Sequence, residues 1–366
     1  MNFSHIDGTT MAPVLNPPSP TGFITNAEVK LVSGFNSIPL LLCCVFGIPA
    51  NALTIRAFLR LGARDNASIS FLHMAVSDML HNCTIVIRVC TEVLGLLKRR
   101  AGVKLALPLL PFIVVNLNLR EMFLTISALT TTFLAIARCM GVARPLQFKD
   151  MFTRPRTIIL LVLFDVFSFA SFFPVICTVG IVYIWNPKTN TSKAATWFAE
   201  GREEAGRYVH SLDFVLPLIT EVIIIMCFVV MVIKLKEASR FRKASQSAGE
   251  KESENAKGSG LSSKEVAVLQ QVSLVCFIYI SLNSAKVITA IVTFVVPGFS
   301  LGQRYTNLYS TFHEIRMLFE TLCASVNFII YYKYNARFRE ACGIGSSNSV
   351  HGELSNKETS VVTKSK

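Results

Sequence analysis

The sequence predicts an all-α membrane protein, a bundle of seven transmembrane helices with a short surface helix after the seventh. Of the 366 residues, 52% are hydrophobic and only 16% are charged, against about 25% charged in a soluble domain. The apolar residues fall into long runs without the alternation of a membrane strand, and about 20 apolar residues in a helix cross the ~30 Å hydrocarbon layer. Together these observations exclude a soluble globular domain.

Seven runs are long enough to cross the bilayer. We expect spans at 35–59, 68–94, 107–137, 157–184, 210–235, 266–296 and 305–332. The stretch 333–341 carries Phe338 on an apolar side and predicts the cytoplasmic surface helix. The Ser-, Lys- and Glu-rich segment 237–263 predicts a mobile inner loop.

The two ends of the chain are polar and predict disorder. Residues 1–34 are rich in proline, lack a cleavable signal sequence and predict a disordered extracellular segment. Residues 343–366 are rich in Ser and Thr and predict a disordered cytoplasmic tail, either a solvated terminus or a phosphorylation target. The predicted seven-helix domain then covers residues 35–342.

The basic residues predict the orientation. The chain has 36 Lys and Arg against 23 Asp and Glu, a net charge of +13. Most of the basic residues fall in loops that an outside N-terminus would place in the cytoplasm, as the positive-inside rule requires. The excess therefore indicates binding to anionic membrane lipid and not to nucleic acid. We expect a multi-pass plasma-membrane protein with an extracellular N-terminus.

Three residues are candidates for modification. Asn2 and Asn190 lie in glycosylation sequons on the expected outer side. Cys342 follows the expected surface helix and is a candidate for palmitoylation. No cysteine pair is placed in the outer loops, and no His/Cys cluster has metal-ligand spacing.

Four motifs lie at matching places in these spans. They are Gly47-Ile48-Pro49-Ala50-Asn51, the stretch 72–78 ending in Asp78, Arg138 with Pro145, and Asn327 to Tyr331. In this combination the chain resembles the rhodopsin-like (class A) G-protein-coupled receptors, most closely the divergent invertebrate receptors for neuropeptides or chemical cues. The resemblance implies a receptor that binds an extracellular ligand and activates a heterotrimeric G protein, with arrestin and a receptor kinase as further partners.

The resemblance also implies roles for particular residues. Asp78, Ser127 and Asn327 would form a polar site in the middle of the bundle that holds a sodium ion, a negative allosteric modulator, in inactive receptors. The alternative is a satisfied polar network without an ion. No other cofactor is implied. Activation and G-protein coupling would involve Arg138, Val142, Pro145, Leu146, Phe277 and Tyr331.

The chain departs from the family pattern at several of these places. Ala137 stands where an acidic residue usually precedes the arginine, so we expect Arg138 to lack its adjacent partner and basal activity to be raised. Ile113 stands where the third helix usually carries a disulfide cysteine. In the sixth span, Phe277 takes the place of a tryptophan and Tyr279 that of the proline that kinks the helix.

Charged residues within the spans predict the ligand pocket, because a charge in the bilayer should face the bundle interior with a partner. The candidates are Arg88, Arg120, Arg316 and Glu320. Arg316 and Glu320 are four apart and can pair along one helix, as can Arg88 and Glu92.

Arg120 has no such neighbour on its face. It lies eighteen residues before Arg138, where this family lines its ligand pocket, and favours a ligand that offers a carboxylate or carbonyl. Glu320 would be its partner in an empty pocket. The alternative is an Arg120–Glu320 ion pair that only braces the third and seventh spans.

The class of ligand stays open between two alternatives, with a neuropeptide slightly ahead of a small water-borne chemosensory cue. A seven-helix ligand-gated channel with its N-terminus inside is more distant. An opsin is not expected, because Thr321 stands where the retinal lysine would be. An enzyme is not expected either, because no acid, base, nucleophile or metal-ligand cluster forms at matching depth.

Overall fold

The computed structural model describes residues 24–63, 65–103, 105–187, 190–247 and 263–343. Its elements are α1 (Asn26–Leu61), α2 (Asn66–Arg100), α3 (Leu110–Ala143), α4 (Pro145–Met151), α5 (Arg154–Cys177), β1 (Val179–Asn186), β2 (Thr191–Phe198), α6 (Arg202–Ser247), α7 (Ser263–Val295), α8 (Thr306–Tyr334) and α9 (Ala336–Cys342). The seven long helices form one bundle, with α3 contacting α2, α5, α6 and α7. The predicted all-α membrane bundle is confirmed.

Six of the long helices, all except α8, are long and apolar enough to cross a membrane. α8 is long enough but less apolar, because it carries the charged residues Glu314, Arg316 and Glu320. All three side chains are buried. They therefore face other helices, and α8 completes the bundle with a charged surface turned inward.

Two helices extend into segments for which the sequence predicts disorder or a loop. α1 begins at Asn26 because Thr25 and Glu28 form a capping box. The Glu28 backbone N–H donates to Thr25 Oγ1 at 3.3 Å, and the Thr25 N–H donates to Glu28 Oε2 at 2.6 Å. α6 likewise continues to Ser247, inside the predicted loop.

The loop between α5 and α6 is a β-hairpin, so the predicted helix over 178–184 is wrong. β1 and β2 pair in antiparallel register from Val179 opposite Phe198 to Asn186 opposite Thr191. β-branched and aromatic residues are frequent in this stretch, and such residues favour strands. Asn190 in the turn has a φ of 53°, a conformation that asparagine adopts more readily than most residues.

The surface helix is present, although it begins and ends slightly later than predicted. Asn335 caps α9, with its side chain accepting a hydrogen bond from the Phe338 N–H at 3.1 Å. The Phe338 side chain is 0% exposed. Its ring centroid lies 5.2 Å from that of Phe58 and 5.8 Å from that of Tyr331. This aromatic cluster attaches α9 to the bundle, and we call that end of the bundle the α9 end.

Of the two glycines in α1, Gly47 is the one at which this helix packs closely against α2 and α8. A Cβ atom built at Gly47 would lie 2.3 Å from Ser325 Oγ and 2.5 Å from Asn82 Nδ2. Gly34, in the same helix, has nothing within 4 Å of such an atom. The sequence motif that begins at Gly47 therefore reflects close helix packing.

Gly47→Ala is expected to lower the free energy of unfolding by about 1–3 kcal/mol, because the added methyl group has no space and the packed helices must move. Thermal unfolding of the detergent-purified protein measures this change. Gly34→Ala is the matched control. It should leave the stability unchanged or raise it by up to about 1 kcal/mol, because alanine has a higher helix propensity than glycine. Equal effects of the two substitutions would contradict the packing described for Gly47.

Candidate functional site

Four helices bring six charged side chains together inside the bundle. We call them the charged cluster: Arg120 and Glu121 of α3, Asp213 of α6, Lys286 of α7, and Arg316 and Glu320 of α8. Three are cations and three are anions, so their formal charges cancel. Arg120, at 1% exposed, is the largest fully buried side chain among the residues that the structure describes. The cluster thus gives each buried charge an opposite charge as a neighbour, as an apolar surrounding requires.

Glu121 is the centre of the cluster, because its carboxylate contacts three cations. Its Oε1 accepts from Arg120 Nη2 and, at 2.7 Å, from Arg316 Nη2. Its Oε2 accepts from Lys286 Nζ at 3.0 Å. One side chain of α3 therefore connects α3 to both α7 and α8.

Asp213 adds α6 to the same network. Lys286 Nζ lies 2.8 Å from Asp213 Oδ1, and Arg316 Nη1 donates to Asp213 Oδ2 at 3.2 Å. Lys286 is therefore shared between two carboxylates, and Arg316, which also pairs with Glu320, among three. Sequence analysis missed Glu121, Asp213 and Lys286, although each is an ionisable residue inside a predicted span.

Three members of the cluster keep polar atoms without a hydrogen-bond partner among the described residues. These atoms are Nε and Nη1 of Arg120, Nε of Arg316 and both carboxylate oxygens of Glu320. Glu320 Oε1 lies 3.2 Å from Arg316 Nε, close enough for an ion pair but without hydrogen-bond geometry. Because buried polar atoms are nearly always hydrogen-bonded, these atoms are the ones that a ligand can satisfy.

The expected pair between Arg120 and Glu320 is replaced by other pairs. Arg120 contacts Glu121, and Glu320 contacts Arg316, its expected partner four residues away. Glu121 was not predicted as the partner of Arg120. It is the next residue in the sequence, and consecutive residues of a helix point in different directions.

Arg88 belongs to a second group of ion pairs. Its Nη2 lies 2.7 Å from Glu92 Oε1, as the spacing predicts, and 2.6 Å from Glu314 Oε1. This group joins α2 to α8. Of the four predicted ligand-binding residues, the charged cluster therefore contains Arg120, Arg316 and Glu320, and Arg88 stands apart from it.

Asp78, Ser127 and Asn327, which we call the Asp78 group, are brought together in the middle of the bundle. Ser127 Oγ donates to Asp78 Oδ1 at 2.7 Å, and Asn327 Nδ2 donates to Asp78 Oδ2 at 2.9 Å. Asp78 and Asn327 are both buried. The three residues come from α2, α3 and α8, so this group connects α2 to two of the helices that carry the charged cluster.

A narrow cavity of about 50 Å³ runs between the two polar sites. Its walls include Asp213, Lys286 and Glu320 of the charged cluster and all three residues of the Asp78 group. A volume of this size holds roughly three to five water molecules, at about 10–15 Å³ for each. In this conformation the cavity admits a few water molecules, an ion or a very small organic molecule.

Arg138 lies at the α9 end, and its partner comes from another helix. Its Nη2 is 4.0 Å from Asp65 Oδ2. Asp65 is the N-cap of α2 and accepts a hydrogen bond from the Ser68 N–H at 3.2 Å. Arg138 thus has no partner at the adjacent position, where Ala137 stands, but Asp65 supplies a counter-charge from the start of α2. Ala137 is buried against Phe133 and Leu161, so an aspartate there would bury a carboxylate among apolar side chains.

Two of the residues that the resemblance links to activation lie in the core at the α9 end. Tyr331 is buried, with its ring 4.7 Å from that of Phe71, and its hydroxyl has no partner among the described residues. Val142 is partly buried against the same core. Pro145 begins α4, which forms the loop after α3, and the side chains of Pro145 and Leu146 lie outside the described part of the structure.

Phe277 does not face the bundle interior. Its side chain is 53% exposed on the outer surface of α7, where its ring lies 6.1 Å from that of Phe228. The interior positions of this stretch belong to Cys276 and Tyr279, both buried. Residues three apart share a helix face and the next residue is turned by about 100°, so Phe277 is not the interior counterpart of the family tryptophan.

The candidate modification sites differ in what the structure describes. Asn190 is exposed in the hairpin turn. Cys342 ends α9 as a partly buried free thiol, and all ten cysteines of the chain are free. Asn2 and the Ser- and Thr-rich tail lie outside the described residues.

A further polar site between α2, α3 and α5 was also missed. His73 Nδ1 lies 2.9 Å from Thr130 Oγ1, and His73 Nε2 lies 3.1 Å from Asp165 Oδ1. The Asp165 side chain is 47% exposed, near the middle of α5. It borders a groove of about 540 Å³ on the outside of the bundle, lined mainly by apolar side chains. A carboxylate at this depth in a predicted span was the signal that could have identified it.

A comparison with protein families gives a match that spans most of the bundle and four of the six residues of the charged cluster. A family model described as serpentine type 7TM GPCR chemoreceptor Srx matches residues 41–302. The match covers Arg120, Glu121, Asp213 and Lys286 and ends before α8 begins. No curated protein is similar enough to this chain to count as a match. Because the family model matches well over half of the 366 residues, this multi-pass membrane protein belongs to the Srx family of serpentine G-protein-coupled chemoreceptors.

Proposed function

We propose that this chain is a chemosensory receptor of the plasma membrane, with its N-terminus outside, that binds a small extracellular cue and activates a heterotrimeric G protein. The charged cluster carries this proposal, because it places partly unsatisfied ionic groups beside an interior cavity in a chain of a chemoreceptor family. Both the family and the cavity of about 50 Å³ favour the small cue over the neuropeptide that the sequence places slightly ahead.

The cue binds at the charged cluster in this proposal. The unpartnered N–H groups of Arg120 are suited to a carboxylate or carbonyl oxygen, because hydrogen bonds from guanidinium to such groups are strong. Arg316 and Glu320 complete the binding site. Arg88 has a supporting part, since it holds α2 to α8 through Glu314.

The Asp78 group is the proposed link between the cue and the α9 end. Its carboxylate, hydroxyl and amide oxygens border the cavity and are the oxygen ligands that hard cations prefer. The residues therefore fit a sodium ion, which would stabilise the inactive arrangement. The cavity extends from this group to Lys286 and Glu320, so a change in the charged cluster alters the space around Asp78.

The α9 end is the proposed surface for intracellular partners. Arg138, Val142, Pro145 and Leu146 would contact the G protein, with Tyr331 in the supporting core. Receptor kinase and arrestin would act on the Ser- and Thr-rich tail. A palmitoyl group on Cys342 and anionic lipid around the basic loops would hold this face at the membrane, and Asn2 and Asn190 would be glycosylated outside.

Basal signalling tests the G-protein proposal without a known cue. Asp65→Asn removes the counter-charge 4.0 Å from Arg138 and should raise basal G-protein activation about threefold to fivefold, because an exposed ion pair contributes up to about 1 kcal/mol. Nucleotide exchange on G protein in receptor-containing membranes, normalised to surface receptor, measures it. Asp150→Asn, which removes another exposed carboxylate at this end, is the matched control.

Arg138→Ala should abolish the signal in the same assay, because it removes the residue proposed to contact the G protein. Unchanged signalling in both Asp65→Asn and Arg138→Ala would reject the proposal. A ligand-gated current in the same cells, with an N-terminal epitope tag accessible only after permeabilisation, would instead support the channel alternative.

A further inference from the structure

We propose that the cue is a small zwitterion, a molecule with one carboxylate, one ammonium group and no net charge. This inference rests on the proposed function, because it assigns the chemistry of the ligand that binds the charged cluster. Three properties of the cluster lead to it: its charge balance, the identity of its unsatisfied atoms and the size of its cavity.

The charge balance excludes a ligand with a net charge. Arg120, Lys286 and Arg316 are offset by Glu121, Asp213 and Glu320, all within one network of ion pairs. A simple carboxylic acid or a simple amine would add an uncompensated charge to this buried network, and burying a charge without a partner is strongly unfavourable. A zwitterion brings one charge of each sign and leaves the balance at zero.

The unsatisfied atoms match both ends of a zwitterion. On the cationic side, Arg120 uses Nη2 for Glu121, while its Nε and Nη1 lack hydrogen-bond partners among the described residues. A ligand carboxylate supplies the acceptors for these two donors. Arg120 is 1% exposed and is not among the residues that line the cavity, so a ligand in the cavity reaches these donors when the Arg120 side chain turns towards it.

On the anionic side, Glu320 forms part of the cavity wall with neither carboxylate oxygen hydrogen-bonded within the described structure. A ligand ammonium supplies donors to these oxygens. Lys286 and Asp213 also line the cavity, but they already pair with each other at 2.8 Å. Arg316 Nε also lacks a hydrogen-bond partner among the described residues, although it lies 3.2 Å from Glu320 Oε1. The cluster thus leaves donors on Arg120 and Arg316 and acceptors on Glu320 incompletely satisfied.

The cavity limits the size of the molecule. About 50 Å³ corresponds to roughly three to five water molecules, which is close to the number of non-hydrogen atoms in the smallest amino acids. A peptide also carries an amine and a carboxylate, but it exceeds this space. The structure therefore favours a free amino acid of small size.

The test uses full-length receptor and matched sets of probes. The panel contains the twenty standard amino acids, β-alanine and γ-aminobutyrate, and, for each active compound, the acid without its amino group and the amine without its carboxyl group. Binding is measured as the rise in unfolding temperature of detergent-purified receptor, and signalling as G-protein nucleotide exchange in membranes. We expect at least one zwitterion to bind and activate, with its matched acid and amine each at least about tenfold weaker, the ratio for one lost charged hydrogen bond.

Two isosteric variants should change this selectivity in opposite directions. Glu320→Gln leaves the cluster with one excess positive charge, so the matched acid should gain on the zwitterion by at least about tenfold. Arg120→Gln leaves one excess negative charge, so the matched amine should gain instead. The double variant restores neutrality and should lose both preferences. Selectivity ratios from surface-expressed receptor make the comparison independent of expression level.

The outcomes separate this inference from the proposed function. A native receptor that responds equally to a zwitterion and to its matched acid or amine would overturn the inference and leave the chemosensory function standing. Silence towards the whole panel, with raised basal signalling in Asp65→Asn, would also overturn it while G-protein coupling stands. The inference is also wrong if the native receptor prefers the zwitterion and both variants keep that preference. Arg120 and Glu320 would then not be the groups that bind the ligand's carboxylate and ammonium.

Discussion

Glu121→Gln is expected to lower the free energy of unfolding by about 3–5 kcal/mol, the cost of removing one partner from a buried ion pair. The carboxylate of Glu121 contacts Arg120, Arg316 and Lys286. Glutamine keeps the volume but removes the charge, so three buried cations then share two carboxylates. Thermal unfolding of purified receptor and the fraction of receptor at the cell surface are the measurements.

The matched control for this substitution lies outside the bundle core. Glu237 forms an ion pair with Lys234 at 2.7 Å, and its side chain is 56% exposed. Glu237→Gln should cost no more than about 1 kcal/mol, because water solvates both charges once the pair is lost. If Glu121→Gln proves as mild as Glu237→Gln, the cluster does not depend on the shared carboxylate.

Phe338→Ala is expected to cost about 3 kcal/mol or more, because a buried phenylalanine is removed and a cavity remains. Phe338 is fully buried and packs on Phe58 and Tyr331. Since these contacts hold α9 to the bundle, the amide protons of α9 should also exchange with solvent much faster. Hydrogen exchange read by mass spectrometry and thermal unfolding together measure the effect.

Phe35→Ala controls for the loss of an aromatic side chain as such. Phe35 is 67% exposed on α1, where lipid or detergent surrounds it in either state, so its removal should change stability by less than about 1 kcal/mol. If the amide protons of α9 remain protected from hydrogen exchange in Phe338→Ala, contacts other than those of Phe338 hold this helix to the bundle.

Much of the fold could be predicted because it depends on properties local to the sequence. Long apolar runs identify the spans, and the resemblance to a receptor family, carried by motifs along single spans, implies that Ser127 and Asn327 lie beside Asp78, as they do. The ends of elements depend on weaker signals. The stretch after Cys177 is apolar enough for a span but contains β-branched residues that pair with β2, and pairing with a later segment is not a local property.

The charged cluster was predicted in part for the same reason. The pair of Arg316 and Glu320 follows from their spacing on one helix. The contacts of Lys286 with Glu121 and Asp213 join three helices, and they depend on how each helix is rotated about its own axis. That rotation results from the packing of the whole bundle, so it cannot be predicted from the sequence of a single helix.

Phe277 and Arg138 illustrate the same limit. The resemblance assigns each a position along its helix, but the direction of a side chain and the identity of its partner depend on neighbouring helices. Phe277 points outward, and Arg138 finds Asp65 on α2.

The missing proline of α7 has a mechanical consequence. From Ser263 to Val295 this helix contains no residue that interrupts its backbone hydrogen bonds, and Lys286 lies about 35 Å along its axis from Ser263 at 1.5 Å per residue. A helix of this kind tilts as one rigid rod. An outward swing of the end that begins at Ser263, about any pivot away from Lys286, therefore displaces the Lys286 ammonium from Glu121 and Asp213. In turn, a ligand that changes the position of these carboxylates acts on that distant end of the helix.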